Sequence, residues 1–289
     1  MITRGIIVFT MSPVQSAALV DHKTSPQPPG SALRERPDRS PSTDLVISGC
    51  TAQHRGDRAE QQDRVALLSG ALAPRCALGV LADGMGGMSG GALAADNVLN
   101  ATRRRFDVFH PETESPDRFF GSVVDEVHTV LRLAAITSEL EPHSTFAAVL
   151  VQPGRVDWCH VGDSRVYHFR DGRIEHCTRD DTYAARLVDE GRLPDHRARL
   201  HPSAHCLVNA IGSARAPVPT LGRLLSPRAG DSFLLCSDGL WAHVAPIELA
   251  EIVASLPPRA AAARLIDLAR ARANGRGDNC SLVLLKLSA

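Results

Sequence analysis

Four short blocks of the chain each place an aspartate beside glycine, serine or asparagine at the expected end of an apolar strand, and a fifth aspartate lies upstream. The blocks are Asp83-Gly84-Met85-Gly86-Gly87, Gly162-Asp163-Ser164-Arg165, Ser237-Asp238-Gly239 and Gly277-Asp278-Asn279, and the upstream block is Gln61-Gln62-Asp63. Converging carboxylates repel each other by several kcal/mol at short range in a poorly screened site. Hard divalent cations such as Mg²⁺ or Mn²⁺ favour oxygen ligands and neutralise that charge. The pattern predicts a multi-metal, all-carboxylate hydrolytic site.

Two neighbours of these aspartates extend the prediction. Gly84 lets the backbone approach an ion closely, so its carbonyl oxygen is a candidate ligand beside the Asp83 carboxylate. Two hard metal ions a few Å apart can activate a bridging water and neutralise a transferring phosphoryl group. Arg58 is then a candidate for binding the phosphate oxygens, because a guanidinium binds them in pairs. The alternative for Arg58 is a solvated surface arginine, and a lone Asp-Gly-x-Gly-Gly block is usually an ordinary turn.

Other catalytic chemistries fit the sequence less well. His201 and His205 are four residues apart, but Pro202 lies between them in a loop-like stretch, and the chain has no HExxH or clustered Cys/His pattern. Exposed loop histidines are therefore favoured over a zinc site. The chain also lacks a GxSxG nucleophile block and a GxxxxGK[ST] phosphate loop. A serine hydrolase and a P-loop nucleotide hydrolase are therefore disfavoured.

Charge and aromatic content bear on partners. Lys+Arg and Asp+Glu both number 32, so the formal net charge is zero. This balance argues against nucleic acid or an anionic membrane surface as a partner held mainly by charge. Aromatic residues make up only 4% of the chain, which disfavours stacking platforms for single strands.

Cysteine usage and hydropathy bear on the compartment. The seven cysteines are scattered, without a CxxC pair, and most lie in apolar runs. They are typical of reduced core thiols and favour the cytoplasm. No apolar run approaches the ~20 residues that span a bilayer. The apolar stretch at residues 6–9 is too short for a signal peptide.

Composition divides the chain into a tail and one domain. Residues 1–43 are rich in Pro, Ser and charge without apolar periodicity, which predicts a disordered N-terminal tail before a domain over residues 44–289. Within the domain, apolar patterns predict strands near 45–50, 76–82, 145–151, 155–161, 164–169, 233–236 and 281–287. Helical patterns occupy 92–109, 117–140, 181–191, 246–255 and 258–273, and 192–220 is expected to be irregular. Strands, a helix pair, strands and a second helix pair indicate an α+β fold with sheet packed on sheet.

Taken in order, the blocks resemble the metal-dependent type 2C serine/threonine protein phosphatases, the PPM class, in its bacterial form. The matching blocks are Arg58 with Gln61-Gln62-Asp63, Asp83 to Gly87, His143-Ser144-Thr145, Gly162 to Tyr167, Thr178 to Asp181, Leu234 to Leu240 and Asp278-Asn279. The resemblance runs from about residue 45 to the C-terminus. Each block alone is weak, and their shared order makes the resemblance specific.

The resemblance implies a four-layer α-β-β-α sandwich, two antiparallel sheets flanked by helix pairs. It implies two core Mn²⁺ or Mg²⁺ ions held by Asp63, Asp83, Gly84, Asp238 and Asp278. Asp163, with Asp238, matches a weaker third-ion position, and Arg58 matches the phosphate-binding arginine. The implied reaction is attack of metal-activated water on the phosphorus of phosphoserine or phosphothreonine, with phosphoproteins of a serine/threonine kinase as substrates. Residues 181–206 match a variable flap, and Asp63, Asp83, Asp238 and Arg58 are the predicted catalytic set.

The chain departs from the family pattern at several positions. Gln61 and Gln62 stand where many members carry Asn and Glu, which predicts tuned metal affinity and an intact site. His143-Ser144 replaces Gly-Thr, and Asp181 replaces a histidine. Met85 is the usual bacterial replacement for a histidine that can act as a general acid.

Two alternatives to an active phosphatase stay open at this point. One is a catalytically weak domain of the same class that binds a phosphoprotein as a regulator, although no predicted metal aspartate is lost. The other is a two-metal phosphodiesterase or nuclease, which the zero net charge and the absence of metal-site histidine motifs disfavour.

Overall fold

The computed structural model describes residues 6–10, 45–86 and 90–289. The strands of these residues are β1 (Ile6–Thr10), β2 (Val46–His54), β3 (Asp63–Ser69), β4 (Ala77–Met85), β5 (His143–Ser144), β6 (Phe146–Gln152), β7 (Arg155–Val161), β8 (Arg165–Arg170), β9 (Arg173–Cys177), β10 (Thr220–Leu225), β11 (Ser232–Cys236) and β12 (Cys280–Ser288). The α-helices are α1 (Gly90–Asp107), α2 (Pro116–Thr137), α3 (Tyr183–Asp189), α4 (Asp238–Trp241), α5 (Pro246–Ser255) and α6 (Pro258–Ala273), and a 3-10 helix spans Asp195–Leu200.

The strands form two antiparallel sheets. One has the order β1-β2-β12-β11-β8-β9, and the other has the order β10-β7-β6-β4-β3 with β5 added beside β4. Helices α1 and α2 cover the second sheet, and α4, α5 and α6 cover the first. A third apolar cluster lies between the sheets and joins residues such as Leu81 and Val283. The predicted α-β-β-α sandwich is confirmed.

Strand β4 shows why its sequence is almost entirely apolar. Its residues alternate between the cluster under α1 and α2, which contains Leu78 and Val80, and the cluster between the sheets, which contains Ala77 and Leu81. A strand covered on both faces reads as a continuous apolar run instead of an alternating one. This burial makes β4 a rigid base for Asp83 near its end.

Helix α2 follows the predicted apolar spacing. Phe120, Val123, Val127 and Leu131 are fully or almost fully buried, whereas Val130 is 41% exposed and lies outside that stripe. The helix begins where the Ser115 hydroxyl accepts a hydrogen bond from the Arg118 amide, followed by proline at the first helical position.

The structure differs from the sequence prediction in several segments. Residues 6–10, within the predicted tail, form an edge strand that pairs with β2, consistent with their β-branched and aromatic composition. The rest of the predicted tail lies outside the described residues, and the domain boundary at residue 44 stays a prediction. The segment 192–220, which was expected to be irregular, contains the 3-10 helix, and β10 begins at the last residue of this segment. Strands β3 and β9 and the short helix α4 were not predicted.

Among the described residues, no helix is both long enough and apolar enough to pass through a bilayer.

Candidate metal centre

Two neighbouring strands bring the first pair of predicted aspartates together. Asp63 opens β3 and is paired in register with Asp83 near the end of β4. Directly opposite residues of an antiparallel pair have Cβ atoms about 5 Å apart and side chains on the same face. Like charges in this arrangement repel, so this strand register is destabilising unless a positive charge lies near the two carboxylates.

Asp63 is fully buried at the base of the site. Its Oδ2 accepts a 2.9 Å hydrogen bond from the Ser237 hydroxyl, whereas its Oδ1 has no hydrogen-bond partner. The pKa of Asp63 is raised to about 7, chiefly by burial and also by the charges of Asp238 and Asp278, against the lowering effect of hydrogen bonds from nearby serines. A buried carboxylate with one oxygen unpaired is a group that a cation would satisfy.

The backbone around Asp83 is locked by Thr145. The Asp83 amide donates to the Thr145 hydroxyl at 3.0 Å, and the Thr145 amide donates to the Asp83 carbonyl at 2.9 Å. Burial raises the pKa of Asp83 well above its ordinary value, and the neighbouring charge of Asp63 adds to the rise. Thr145 is the last residue of the His143-Ser144-Thr145 block. Its two hydrogen bonds to Asp83 explain what this threonine contributes to the site.

Gly84 lies where the backbones of β4 and α1 almost touch. A Cβ built on Gly84 would lie 1.9 Å from the Gly91 carbonyl oxygen and 2.9 Å from the Gln62 carbonyl oxygen. Only glycine fits there, and the close approach explains the glycine cluster after Asp83. Gly87 lies outside the described residues.

Asp238 and Asp278 complete the opposite side of the site. Asp238 is the first residue of α4, and burial followed by the charge of Asp278 raises the pKa of Asp238 to about 6. Asp278 precedes β12 and accepts a 2.5 Å hydrogen bond from the guanidinium of Arg58. The structure therefore places the predicted phosphate-binding arginine beside a predicted metal ligand.

Asn279 holds the loop that carries Arg58, a role that the sequence prediction missed. Its side-chain amide donates to the carbonyls of Arg55 and Glu60 at 2.7 and 2.9 Å, and its oxygen accepts from the Gln62 amide at 2.7 Å. The asparagine in the Asp278-Asn279 block could have indicated this role. Its side-chain amide can both donate and accept hydrogen bonds, whereas a carboxylate can only accept them.

Asp163 lies in the corner between β7 and β8 and is only 6% exposed. Its carbonyl accepts a 3.0 Å hydrogen bond from the Trp241 indole, and Gly162 adopts φ +99° beside it. The corner is tied to the start of the flap, residues 181–206, because the Gly162 amide donates to the Asp181 carboxylate at 2.9 Å. Burial followed by the charge of Asp238 raises the pKa of Asp163 to about 8.

The flap brings one histidine to this site. One ligand atom each from Asp163, Asp238 and His205 lies within 4.8 Å of the others, and His205 Nδ1 is 3.7 Å from Asp238 Oδ2. The 65% exposed side chain of His205 agrees with its interpretation as an exposed loop histidine. The sequence analysis did not place it beside Asp163 and Asp238, because it sought partners among nearby histidines and these aspartates are distant in sequence.

A cavity of about 480 Å³ opens beside Asp83 and Asp278. Its lining also includes Arg58, Gln62, Met85 and Asn279. The walls therefore combine carboxylates, two amides and one guanidinium, which suits a divalent cation with a phosphate above it. The raised pKa values of the buried aspartates and the unpaired oxygen of Asp63 show that the donor set fits divalent ions.

The glutamine pair has two different environments. Gln61 accepts a 3.0 Å hydrogen bond from the Asp63 amide, so it shapes the entry to β3. Gln62 lines the cavity and offers a neutral side chain at its wall. The predicted effect on metal affinity therefore concerns Gln62 and stays a prediction.

A family model described as Protein phosphatase 2C matches residues 50–271. The serine/threonine protein phosphatase PstP of Mycobacterium tuberculosis is 34% identical over 213 residues, which is 71% of this chain and 39% of that protein. The chain thus spans about two fifths of the length of this curated relative. The serine/threonine phosphatase stp of Listeria monocytogenes is 27% identical over 216 residues, covering 72% of this chain and 83% of that protein.

Solved structures show the same architecture. The catalytic domain of PstP in complex with two manganese ions superposes with a TM-score of 0.71 at 32% identity, covering 85% of this chain and all of that one. The serine/threonine phosphatase of S. agalactiae superposes with a TM-score of 0.76 at 25% identity, covering 84% of this chain and 99% of that one.

Proposed function

The chain belongs to the protein phosphatase 2C family, and from that premise we propose that it hydrolyses phosphoserine and phosphothreonine in proteins. The observation that carries the proposal is the convergence of four aspartates whose charges act on one another, Asp63, Asp83, Asp238 and Asp278. Two of them, Asp83 and Asp278, line a cavity together with Arg58. All of the carboxylates expected from the sequence are present, so nothing favours the catalytically weak alternative.

Two Mn²⁺ or Mg²⁺ ions are the proposed core cofactors. Asp63, Asp83, the Gly84 carbonyl, Asp238 and Asp278 would hold them, directly or through water, and the PstP domain that binds two manganese ions supports this assignment. When bound, such ions supply an activated water and neutralise the charge of the phosphoryl group. Asp163 with Asp238 is the proposed position of a weaker third ion.

The chain's own residues position the phosphate. Arg58 lines the cavity with a side chain that is 62% exposed, so its guanidinium can bind two phosphate oxygens while Asp278 orients it. Asn279 holds the loop from Arg55 to Gln62 and thereby fixes the direction of Arg58. Met85 also lines the cavity, and its thioether has no proton to give to the leaving oxygen, so that proton must come from elsewhere.

We include substrates and location in the proposal. Phosphoproteins modified by a serine/threonine kinase are the proposed substrates, and neither nucleic acid nor a membrane is a proposed partner, because the net charge is zero. All seven cysteines are free thiols, and five of them are buried, which supports a reducing, cytoplasmic location.

The proposal is tested with the purified full chain and a phosphothreonine peptide. Phosphate release should require Mn²⁺ or Mg²⁺, stop on addition of EDTA and disappear in Asp238→Ala, which should stay folded because a repelling carboxylate is removed. Asp267→Ala, at an exposed position of α6, serves as the matched control and should keep full activity. Equal activity in wild type and Asp238→Ala would overturn the proposal.

A further inference from the structure

We propose that His205 binds a metal ion together with Asp163 and Asp238, so that the ion fastens the flap to the catalytic core and the site prefers transition-metal ions to Mg²⁺. The inference rests on the proposed function, since the same fold must bind divalent ions. It goes beyond that function because the imidazole and the flap are added to the two aspartates.

The three side chains have the spacing of metal ligands. Two ligands that are each about 2.1 Å from one ion stand roughly 3 to 4 Å apart. His205 Nδ1 and Asp238 Oδ2 are 3.7 Å apart, and the ligand atoms of all three residues lie within 4.8 Å of one another. The His205–Asp238 separation is too long for a hydrogen bond but fits two groups that share an ion.

Asp163 gives an independent indication of a ligand. The residue is only 6% exposed, and its carboxylate accepts a hydrogen bond from its own backbone amide and none from another described residue. It faces Asp238, whose like charge makes the pair unfavourable without a cation. A buried carboxylate can accept several hydrogen bonds or bind a cation, and a shared ion would use the capacity that the single amide leaves.

The backbone that follows His205 is fixed to the start of the flap by two hydrogen bonds. The Tyr183 amide donates to the Cys206 carbonyl at 2.8 Å, and the Val208 amide donates to the Asp181 carbonyl at 2.9 Å. The His205 side chain itself is 65% exposed, so its ring can rotate freely enough to bring a ring nitrogen to an ion. An ion at this position would therefore join the C-terminal end of the flap to the β7–β8 corner and to α4.

The ligand chemistry determines which ions fit. Magnesium prefers an all-oxygen shell, whereas imidazole nitrogen favours zinc and the later transition metals, with manganese accepting both kinds of ligand. His205 lines two cavities of about 450 and 380 Å³, so an ion here would also fix one side chain that both cavities share. The expected consequence is a flap that closes with Mn²⁺ or Zn²⁺ and stays looser with Mg²⁺.

The test counts bound Mn²⁺ by electron paramagnetic resonance of the free ion in titrations of the full chain. Wild type should bind one weaker ion beyond the core ions, and His205→Ala should weaken that ion at least about tenfold while leaving the core ions unchanged. His196→Ala is the matched control, because this flap histidine is exposed and away from the three ligands. His205→Asp should restore the site and extend it to Mg²⁺.

Limited trypsin digestion supplies a second readout that does not depend on activity. Cleavage at Arg192, Arg197 and Arg199 in the flap should be slowed by Mn²⁺ in wild type and in His196→Ala, but not in His205→Ala. Identical Mn²⁺ titrations and identical flap protection in wild type and His205→Ala would overturn the inference while leaving the core ions and the proposed function intact. A wild-type chain that binds no Mn²⁺ would overturn both.

Discussion

Replacing Asp63 by asparagine should stabilise the metal-free protein and remove its metal-dependent activity. Asp63 is fully buried with one oxygen unpaired, and burial raises its pKa from 3.8 to about 7. At pH 8 the folded protein therefore carries a buried charge that costs about 4 kcal/mol relative to the unfolded chain. The new amide leaves a donor without a partner at ~1–3 kcal/mol, so the expected net gain is about 1–3 kcal/mol.

The assay is thermal or urea unfolding in EDTA at pH 8, with phosphate release in Mn²⁺ measured beside it. A gain of this size corresponds to a midpoint roughly 5 °C higher for a chain of this length. Asp231→Asn is the matched control, because Asp231 is equally buried but accepts two hydrogen bonds from Arg170 at 2.6 and 2.7 Å. That variant should lose about 3 kcal/mol, since it leaves a charged arginine without its partner.

The same unfolding measurements can refute the reasoning. If Asp63→Asn is destabilised in EDTA at pH 8 as much as Asp231→Asn, then Asp63 is held by its hydrogen bonds and is not a strained metal ligand. If Asp63→Asn keeps full Mn²⁺-dependent activity, then the residue does not belong to the metal centre.

Three further predictions follow from the site. Because Asp63 and Asp163 have pKa values raised to about 7 and 8, the EDTA-treated protein should lose stability as the pH rises from about 4 to 8, and Mn²⁺ should cancel this loss in thermal scans. Arg58→Ala should lower kcat/KM for a phosphothreonine peptide by at least about tenfold, with Arg58→Lys intermediate, and an unchanged value would exclude phosphate binding by Arg58. Gly84→Ala should lower the free energy of unfolding by more than ~2 kcal/mol, because its Cβ would lie 1.9 Å from a backbone oxygen. Gly121→Ala, whose Cβ would have nothing within 4 Å, should stabilise α2. Equal unfolding midpoints of the two variants would contradict the packing argument.

The sequence was most informative where burial is complete. Strand β4 has the continuous apolar run of a strand buried on both faces, and helix α2 has the apolar stripe of a helix buried on one face. Both elements and their approximate limits could therefore be predicted. Strand β10 could not, because its side chains are largely exposed and carry little periodic signal. Strand β3 begins at Asp63 and contains Arg64, so its polar start concealed it.

The candidate site also contains residues that the sequence marks locally and residues that only the tertiary structure brings together. The strand-end aspartates could be recognised because local glycines and serines mark each of them. The link between His205 and Asp163 could not, since the two residues are 42 positions apart in sequence and meet only because the flap folds back onto the β7–β8 corner. Asn279 lies between these cases, because its position was recognised but its three hydrogen bonds depend on the path of the loop from Arg55 to Gln62.

The most direct test of the central claim is the location of bound manganese by anomalous diffraction from crystals of the full chain grown with Mn²⁺. The account predicts two strong peaks among Asp63, Asp83, Asp238 and Asp278, with Arg58 facing the cavity above them. Peaks confined to other residues, or none among these four carboxylates in crystals of a protein whose phosphatase activity requires Mn²⁺, would contradict it.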